Sequence, residues 1–186
     1  WLGPKKHFVQ YLVKGGNFLN CVCLVEQNDW TNEDWSVKGD ISELKHIFSD
    51  WHPEIKEILE CTKPGSLFKW GLHDRAPMNK WSKGRFSLLG DAAHPMLPFV
   101  AQGAAMAIED GIVLASSLSS FDNVAIGLDD YENKRKYRTA KAQRTAARNA
   151  TIFHLSDFLA IFRNLVMKFF IKKIMDSFYK YDAISK

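Results

Sequence analysis

The chain has 186 residues, of which 46% are hydrophobic and 25% charged, and its formal net charge is +4. This balance is typical of an ordinary soluble globular protein. An apolar stretch of the roughly 20 residues that a membrane span needs is absent from the sequence, which excludes stable membrane insertion. The three cysteines, Cys21, Cys23 and Cys61, lack metal-ligand spacing. They predict a reduced, cytoplasmic protein without a bound metal.

The first segment of the chain has the pattern of a β-hairpin. His7–Val13 and Phe18–Glu26 are rich in β-forming residues and enclose two glycines, which favours a turn between two strands. Alternation along the first strand places His7 and Tyr11 on one face and Gln10 on the other.

Two short helices and two strands are predicted next. Asp40 is a suitable N-cap, with Glu43 three residues on to complete a capping box, and Pro53 can open a second helix. Apolar residues at 67–72 and 85–89 predict the strands.

The remainder of the chain is predicted to be helical. Small residues favour a buried helix over residues 104–118. Asp129 or Asp130 is expected to cap a basic helix with a solvated face. Apolar residues at helical spacing between 152 and 181 predict one or two helices, whose apolar face covers a core or a dimer partner.

Residues 88–111 contain the most informative pattern of the sequence. A strand stops at Gly90-Asp91, a loop with two prolines follows, and Gly103 opens a helix whose first turn is nearly free of bulky side chains. Bare N–H groups at a helix start carry partial positive charge and favour an anionic or electron-rich partner. The carboxylate of Asp91 can accept hydrogen bonds from hydroxyl groups.

This segment resembles the second FAD-binding motif of the flavoprotein aromatic hydroxylases of the salicylate and 3-hydroxybenzoate hydroxylase type. The matching positions are Gly90-Asp91-Ala92-Ala93-His94-Pro95, Pro98, Gln102-Gly103 and Ala107-Ile108-Glu109-Asp110. The resemblance implies an α+β fragment of an α/β FAD-dependent hydroxylase. Its parts would be a substrate-domain β-sheet, a strand-helix unit that closes the FAD site, and a C-terminal helical tail.

The resemblance also implies a division of the chain. Residues 1–80 would complete the substrate-binding domain, residues 81–122 would belong to the FAD-binding domain, and residues 123–186 would form the helical tail. The Gly-x-Gly-x-x-Gly βαβ unit with which the family begins does not occur in this sequence. We therefore expect the C-terminal portion of a longer enzyme, with a Rossmann-like half preceding it. The alternative is a naturally short protein that has lost that half.

The site residues implied by the resemblance lie in the same segment. The carboxylate of Asp91 would bind the ribitol chain of FAD, and the helix start would face the flavin. The implied cofactor-binding residues are Gly90, Asp91, Pro98, Gln102, Gly103, Ala104, Ala105 and Met106. The loop would lie beside the aromatic ring, so Leu97, Pro98 and Phe99 are substrate candidates. Gln10, on the first strand of the hairpin, is a further substrate candidate outside this segment.

Catalytic residues are less well defined. His7 and Tyr11 are candidates, because either side chain could deprotonate or orient a phenol on a sheet that roofs the active site; packing of the sheet explains both equally well. His94 is expected to hold the loop by hydrogen bonds. Asp74 and Arg75 are expected to lock loops in the same way.

The activity implied is that of an FAD-dependent monooxygenase. It would hydroxylate a small aromatic substrate, a phenolic acid, with O₂ and with NADH or NADPH as reductant, and a homodimer is a further expectation. A non-catalytic, partner-dependent remnant is one alternative. A basic module that binds nucleic acid or a membrane surface is another, but no binding module surrounds the basic helix, so no nucleic-acid partner is predicted.

Overall fold

The structure is a computed structural model that describes residues 1–27 and 34–184. These residues form two compact units, one from residues within 1–26 and 73–186 and the other from residues within 27–72. The three-part division expected from the sequence concerns portions of a longer enzyme and stays a prediction.

The larger unit begins with an antiparallel sheet in the order β1 (Leu2–Gly3), β2 (Lys6–Val13) and β3 (Phe18–Val25). The predicted hairpin is confirmed. Its turn contains Gly15 and Gly16 with φ of 66° and 89°, a backbone conformation that glycine adopts without steric cost.

A second, smaller hairpin leads into the motif. It consists of β4 (Ser82–Lys83) and β5 (Phe86–Ser87). The strand predicted at 85–89 is therefore shorter than expected, because Gly90 has a φ of 60° and starts a 3-10 turn.

The smaller unit contains α1 (Ile41–Ile47) and α2 (Pro53–Glu60). The Asp40 carboxylate accepts a hydrogen bond from the Ser42 N–H at 2.7 Å, as expected of an N-cap. Glu43, expected to complete a capping box, pairs with Lys69 at 2.6 Å.

The strand predicted at 67–72 is wrong. Within the described residues this segment forms one isolated antiparallel bridge, between Lys38 and Phe68. Backbone hydrogen bonds flank that bridge, from Gly39 to Leu67 and from Lys69 to Val37. A strand requires a longer run of paired partner residues than this short contact provides.

Three helices complete the larger unit: α3 (Gly103–Ser120), α4 (Val124–Phe153) and α5 (Asp157–Tyr179). The prediction that Asp129 or Asp130 caps the second of these is wrong. Asn123 is the N-cap, since its side-chain oxygen accepts hydrogen bonds from the N–H groups of Ala125 and Ile126.

The start predicted for the last helix at residue 152 is also wrong, because α4 continues to Phe153. The break between α4 and α5 is held by Arg163, which is 5% exposed. Its guanidinium donates hydrogen bonds to the carbonyls of Ile152, Phe153 and Leu155.

α3 and α4 pack closely. A Cβ atom on Gly127 would lie 3.2 Å from the Ser117 carbonyl oxygen, so glycine permits the approach of the two helices. The prediction of a buried helix over 104–118 holds for one face only, since Met106, Asp110, Val113 and Ser117 are buried while Ile108 is 67% exposed.

The apolar stripe predicted on the last helix is present and largely exposed. Phe158 and Ile161 are each 73% exposed and Phe169 is 68% exposed. Among the described residues, no helix combines the length and the apolar character that crossing a membrane requires.

Candidate functional site

The site is built on the loop that joins β5 to α3. Gly90 opens it with a φ of 60°, and a Cβ atom there would lie 3.3 Å from the Cβ of Ala107. Glycine is therefore required at this position by backbone conformation and by the close approach of α3.

The loop brings Asp91 to the start of α3. The Asp91 side chain is exposed, and its Oδ1 lies 3.9 Å from the position that a Cβ atom would occupy at Gly103. The two features that the sequence singled out, a carboxylate and an open helix start, are thus adjacent in space.

The start of α3 offers backbone N–H groups without a side-chain cap. Gln102 occupies the N-cap position and makes no capping hydrogen bond, unlike Asp40 on α1 and Asn123 on α4. The first intrahelical bond runs from the Met106 N–H to the Gln102 carbonyl at 2.9 Å. The N–H groups of the three residues between them precede that bond and carry the positive end of the helix dipole.

The side chains at this helix start differ in exposure. Gln102 is 2% exposed and Met106 is fully buried, whereas Ala104 is exposed. Gln102 and Met106, both predicted to contact the cofactor, are therefore buried at the helix start, and the Met106 N–H is used in the first intrahelical bond.

No packing demand within the described protein explains Gly103. A Cβ atom there would make only an ordinary van der Waals contact with Asp91, and the backbone φ lies outside the left-handed range. The contrast with Gly90 is informative, because Gly103 leaves open space that an external group is able to use.

The proline loop is positioned by α4. Pro98–Val100 forms a 3-10 turn, and the side-chain amide of Asn149 donates to the Phe99 carbonyl at 3.0 Å. Gln143 donates to the Pro95 carbonyl at the same distance. Leu97 and Phe99 are half-buried and Pro98 is exposed, so the predicted substrate loop is a partly open surface on a fixed support.

Behind this surface lies a buried charged network centred on Asp110. Its carboxylate accepts hydrogen bonds from Arg135 Nε at 2.7 Å, from His94 Nε2 at 2.6 Å and from the Gly90 N–H at 3.1 Å. Asp110, Arg135 and His94 have fully buried side chains. The predicted role of His94 in holding the loop is confirmed.

The electrostatics of the network keep Asp110 ionised. Burial alone would raise the pKa of Asp110, but the hydrogen bonds from His94, Arg135 and Gly90 outweigh it and lower the pKa. For Arg135, burial alone would lower the pKa, and the carboxylates of Asp110 and Glu109 raise it instead.

The same network corrects the prediction that the basic residues of this helix form a solvated face, since two of the arginines turn inward. Arg135 lies on α4 and is inaccessible to solvent. Arg138 donates two hydrogen bonds of 2.6 Å to the carboxylate of Glu109 on α3. The sequence contains a signal for this arrangement, since Glu109-Asp110 places two charges in a helix otherwise made of small and apolar residues.

Arg75 also holds the loop, as predicted for it. Its guanidinium donates to the carbonyls of Ala92 and Ala93 at 2.8 and 3.3 Å.

His7 lies against the proline loop. Its ring centroid is 5.1 Å from that of Phe99, and its Nδ1 is 2.8 Å from Nε2 of His154. Burial, followed by electrostatic contributions from His154 and from the amino group of Trp1, lowers the pKa of His7 to about 4, so His7 is neutral near pH 7. Tyr11, the other catalytic candidate, is 51% exposed, and Gln10 is half-buried.

The cysteines show no disulfide within the described part of the chain. Burial, followed by the neighbouring Cys21, raises the pKa of Cys23 to about 12, which keeps it a thiol. No group of three or more His, Cys, Asp or Glu residues in residues 1–27 and 34–184 is arranged to hold a metal ion.

Comparison with known proteins identifies relatives over most of the chain. A 3-hydroxybenzoate 6-hydroxylase of Klebsiella oxytoca is 34% identical over 182 residues, which cover 97% of this chain and 44% of that protein. A 6-hydroxynicotinate 3-monooxygenase of Pseudomonas fluorescens is 38% identical over 152 residues, which cover 80% of this chain and 39% of that protein. The chain therefore spans less than half the length of these relatives.

A solved structure shows the same architecture. That of a salicylate hydroxylase substrate complex matches with a TM-score of 0.79 at 24% identity, covering 98% of this chain and 46% of that one. The likeness shows the fold, and the predicted α+β fragment of such a hydroxylase is confirmed.

A family model described as an FAD binding domain matches residues 19–146. This range includes the whole motif, from the strand before Gly90 to the end of α3, and most of α4. The resemblance read from residues 88–111 is thus confirmed, and the chain belongs to the FAD-binding domain family.

Proposed function

We propose that this chain is part of an FAD-dependent monooxygenase that hydroxylates a small aromatic acid bearing a hydroxyl group, with O₂ and NADH or NADPH. Membership of the FAD-binding domain family supports the cofactor. The names of the two relatives, which act on a hydroxybenzoate and a hydroxynicotinate, support the substrate class. The observation that carries the proposal is the uncapped start of α3 beside the exposed carboxylate of Asp91.

In this proposal, the loop and the helix start hold the cofactor. Asp91 accepts hydrogen bonds from the ribitol hydroxyls, and the N–H groups of Gly103, Ala104 and Ala105 donate to electron-rich atoms at the edge of the flavin. Gly90 lets the loop pass close to α3, and the helix dipole stabilises negative charge on the reduced ring. When bound, FAD supplies the oxygen-transfer chemistry, and the protein supplies binding and orientation.

The substrate is proposed to lie on the surface formed by Leu97, Pro98 and Phe99. The half-buried Phe99 provides an apolar wall for an aromatic ring. His7 packs against Phe99 and is neutral at pH 7, so it is able to accept a proton from the hydroxyl of the substrate. Of the two catalytic candidates we favour His7, because Tyr11 is more than half exposed.

The proposal is tested by a matched pair of substitutions on α3. Gly103→Ala places a methyl group in the open space beside Asp91, without a clash inside the protein. We expect FAD affinity to fall at least about tenfold, equivalent to about 1.4 kcal/mol, while the stability of the protein is unchanged or slightly raised. Flavin fluorescence titration of the protein expressed from its complete gene measures the affinity.

Gly111→Ala is the control variant for Gly103→Ala, since a Cβ atom at Gly111 meets no heavy atom within 4 Å. It changes the same helix in the same way, away from the site, and FAD affinity should be retained. Equal affinities for the two variants would contradict the assignment of the helix start. A colourless protein that takes up no flavin on reconstitution would overturn the proposed function.

Two partner proposals accompany this function. The relatives are more than twice as long as the matched region, and we propose that a nucleotide-binding βαβ unit precedes this chain in the complete protein. A homodimer is the second proposal, supported by the exposed apolar side chains of α5. The coding sequence upstream of Trp1 and light scattering of the purified protein test the two.

A further inference from the structure

We propose that Glu26, His154 and His7 form a hydrogen-bonded relay in which Glu26 and His154 are positioning residues that keep Nε2 of His7 as the proton-accepting nitrogen. This inference rests on the proposed function, in which His7 takes the proton of the substrate hydroxyl. It assigns a role to two residues that lie outside the flavin motif.

The relay joins three segments of the larger unit. His154 Nε2 lies 2.8 Å from His7 Nδ1, and His154 Nδ1 lies 2.6 Å from a carboxylate oxygen of Glu26. The side chain of His154 is 6% exposed and that of Glu26 is 51% exposed, while His7 is 3% exposed. The chain of hydrogen bonds therefore runs from a buried imidazole to a carboxylate in contact with solvent.

The carboxylate sets the tautomer of both rings. Glu26 is an acceptor, so the proton of a neutral His154 lies on Nδ1, and its Nε2 must accept. The Nδ1 of His7 then carries a proton and donates it to His154. The proton-free nitrogen of His7 is consequently Nε2. With the opposite tautomers, a lone pair on His154 would face the carboxylate of Glu26, which is electrostatically unfavourable.

The relay moves one proton without any further reactant. The O–H bond of the substrate breaks, and its proton binds to Nε2 of His7. The proton on Nδ1 of His7 passes to Nε2 of His154, so His7 returns to neutrality as its other tautomer. The products are a substrate phenolate and a positively charged His154, whose Nδ1–H remains bonded to Glu26.

The position of the positive charge explains why His7 needs a partner. Phe99 and Phe153 pack against the buried ring of His7, and burial is the main reason that its pKa is lowered to about 4. A proton retained by His7 would therefore be poorly stabilised. Transfer to His154 places the charge beside a carboxylate instead.

A cationic side chain also lies beside this cluster, that of Arg163 on α5. The Arg163 guanidinium is bonded to the backbone carbonyls on either side of His154. Glu26 is bonded to His154 on the opposite side of the ring from His7, so its carboxylate compensates a cationic His154.

The tautomers are tested first, without flavin chemistry. Histidine side chains labelled with ¹⁵N in the protein expressed from its complete gene are observed by NMR at pH 8, and His7 is assigned with the His7→Gln variant. We expect a protonated Nδ1 and an unprotonated Nε2 on His7. Glu26→Gln should mix the two tautomers, whereas the control Glu57→Gln, an exposed glutamate on α2, should leave them unchanged.

Two NMR results would overturn the relay. One is a His7 protonated on Nε2 in the unsubstituted protein, and the other is a His7 tautomer that Glu26→Gln does not alter. Glu26 is half exposed, so its substitution leaves the buried core intact, and a His154→Gln variant gives an independent break in the relay.

The kinetic consequence is tested on the flavin-loaded enzyme. Glu26→Gln and His154→Gln should each lower kcat about 10-fold to 100-fold at pH 7, with KM and FAD affinity unchanged. The loss should shrink as the pH approaches the pKa of the substrate hydroxyl, because the substrate then ionises without help. A loss that is equal at every pH indicates a structural role and contradicts the relay.

Failure of the relay and failure of the proposed function give different results. An enzyme that binds FAD and hydroxylates normally after Glu26→Gln refutes the relay and leaves the function standing. A protein that binds no flavin refutes the function, whatever tautomer NMR finds on His7.

Discussion

Asp110 receives three hydrogen bonds in the interior, which join two other segments of the chain to α3. His94 and Gly90 belong to the motif loop, and Arg135 belongs to α4. Because Asp110 is fully buried, its charge depends on these partners for compensation. The residue that fixes the loop is therefore distinct from Asp91, which the loop exposes.

Replacing Asp110 by asparagine should destabilise the protein strongly. Within the described residues, the substitution leaves the buried Arg135 paired with the carboxylate of Glu109 alone, at 2.8 Å. Breaking a buried ion pair costs about 3–5 kcal/mol. Because Glu109 still pairs with Arg135, we expect the free energy of unfolding to fall by about 3 kcal/mol. Urea denaturation measures it, with the exposed Asp129→Asn as a control that should change stability by less than about 0.5 kcal/mol.

At the scale of single residues, the sequence revealed the motif in residues 88–111 but not the distant residues that hold the site in place. Asp91 and Gly103 are twelve positions apart, and their chemistry follows from the loop that joins them. The bond between Asp110 and Arg135 spans 25 positions and that between His7 and His154 spans 147. No local spacing indicates such partners, because only the packing of separate elements brings them together.

The packed pair of helices α3 and α4 positions the site. Gly127 allows their close approach, and Gln143 and Asn149 on α4 hold the proline loop. The sequence predicted both helices but placed the start of α4 too late. Acidic residues are common at helix starts, so Asp129 and Asp130 fitted that role, whereas the actual cap is the single residue Asn123.

The capping assignment is tested by comparing two alanine variants. Asn123→Ala removes the acceptor for the N–H groups of Ala125 and Ile126 and should reduce the free energy of unfolding by about 1 kcal/mol. Asp129→Ala lies on an exposed position inside the helix and should be neutral or slightly stabilising. Thermal denaturation of both variants checks the order, and a larger loss for Asp129→Ala would restore the original prediction.

For the molecule as a whole, the elements with a local signal were predicted best. The hairpin, α1 and α2 have turn or capping residues within their own segments, and all three are confirmed. The strand at 67–72 was wrong because apolar composition does not specify a partner strand. The largely exposed face of α5 was equally beyond the sequence, since an apolar stripe gives no information on what covers it.

Acid should weaken the whole protein through His7. Its pKa is about 6.5 when unfolded and about 4 when folded, so the unfolded state binds the proton first as the pH falls. The contribution of a neutral His7 to the free energy of unfolding is fully present above pH 6.5. It is lost as the pH falls toward 4, by at most about 3 kcal/mol at 1.36 kcal/mol per pKa unit. Asp110, whose pKa is lowered, adds a separate loss at pH values below its usual range.

Denaturation midpoints between pH 7 and pH 4.5 measure this effect. His7→Gln should flatten the pH dependence in that window, whereas His73→Gln, an exposed histidine, should preserve it. A wild-type stability that is constant over the same window would contradict the assignment of a neutral, buried His7.

The aromatic and aliphatic side chains exposed along α5 also affect how the purified protein behaves in solution. Another apolar surface that packs on this helix releases the water around its exposed side chains, among them Phe158, Ile161, Phe162 and Phe169. The purified chain should therefore adsorb to hydrophobic resins, increase the fluorescence of environment-sensitive dyes and aggregate as its concentration rises. Mild detergent or arginine in the buffer should reduce all three effects.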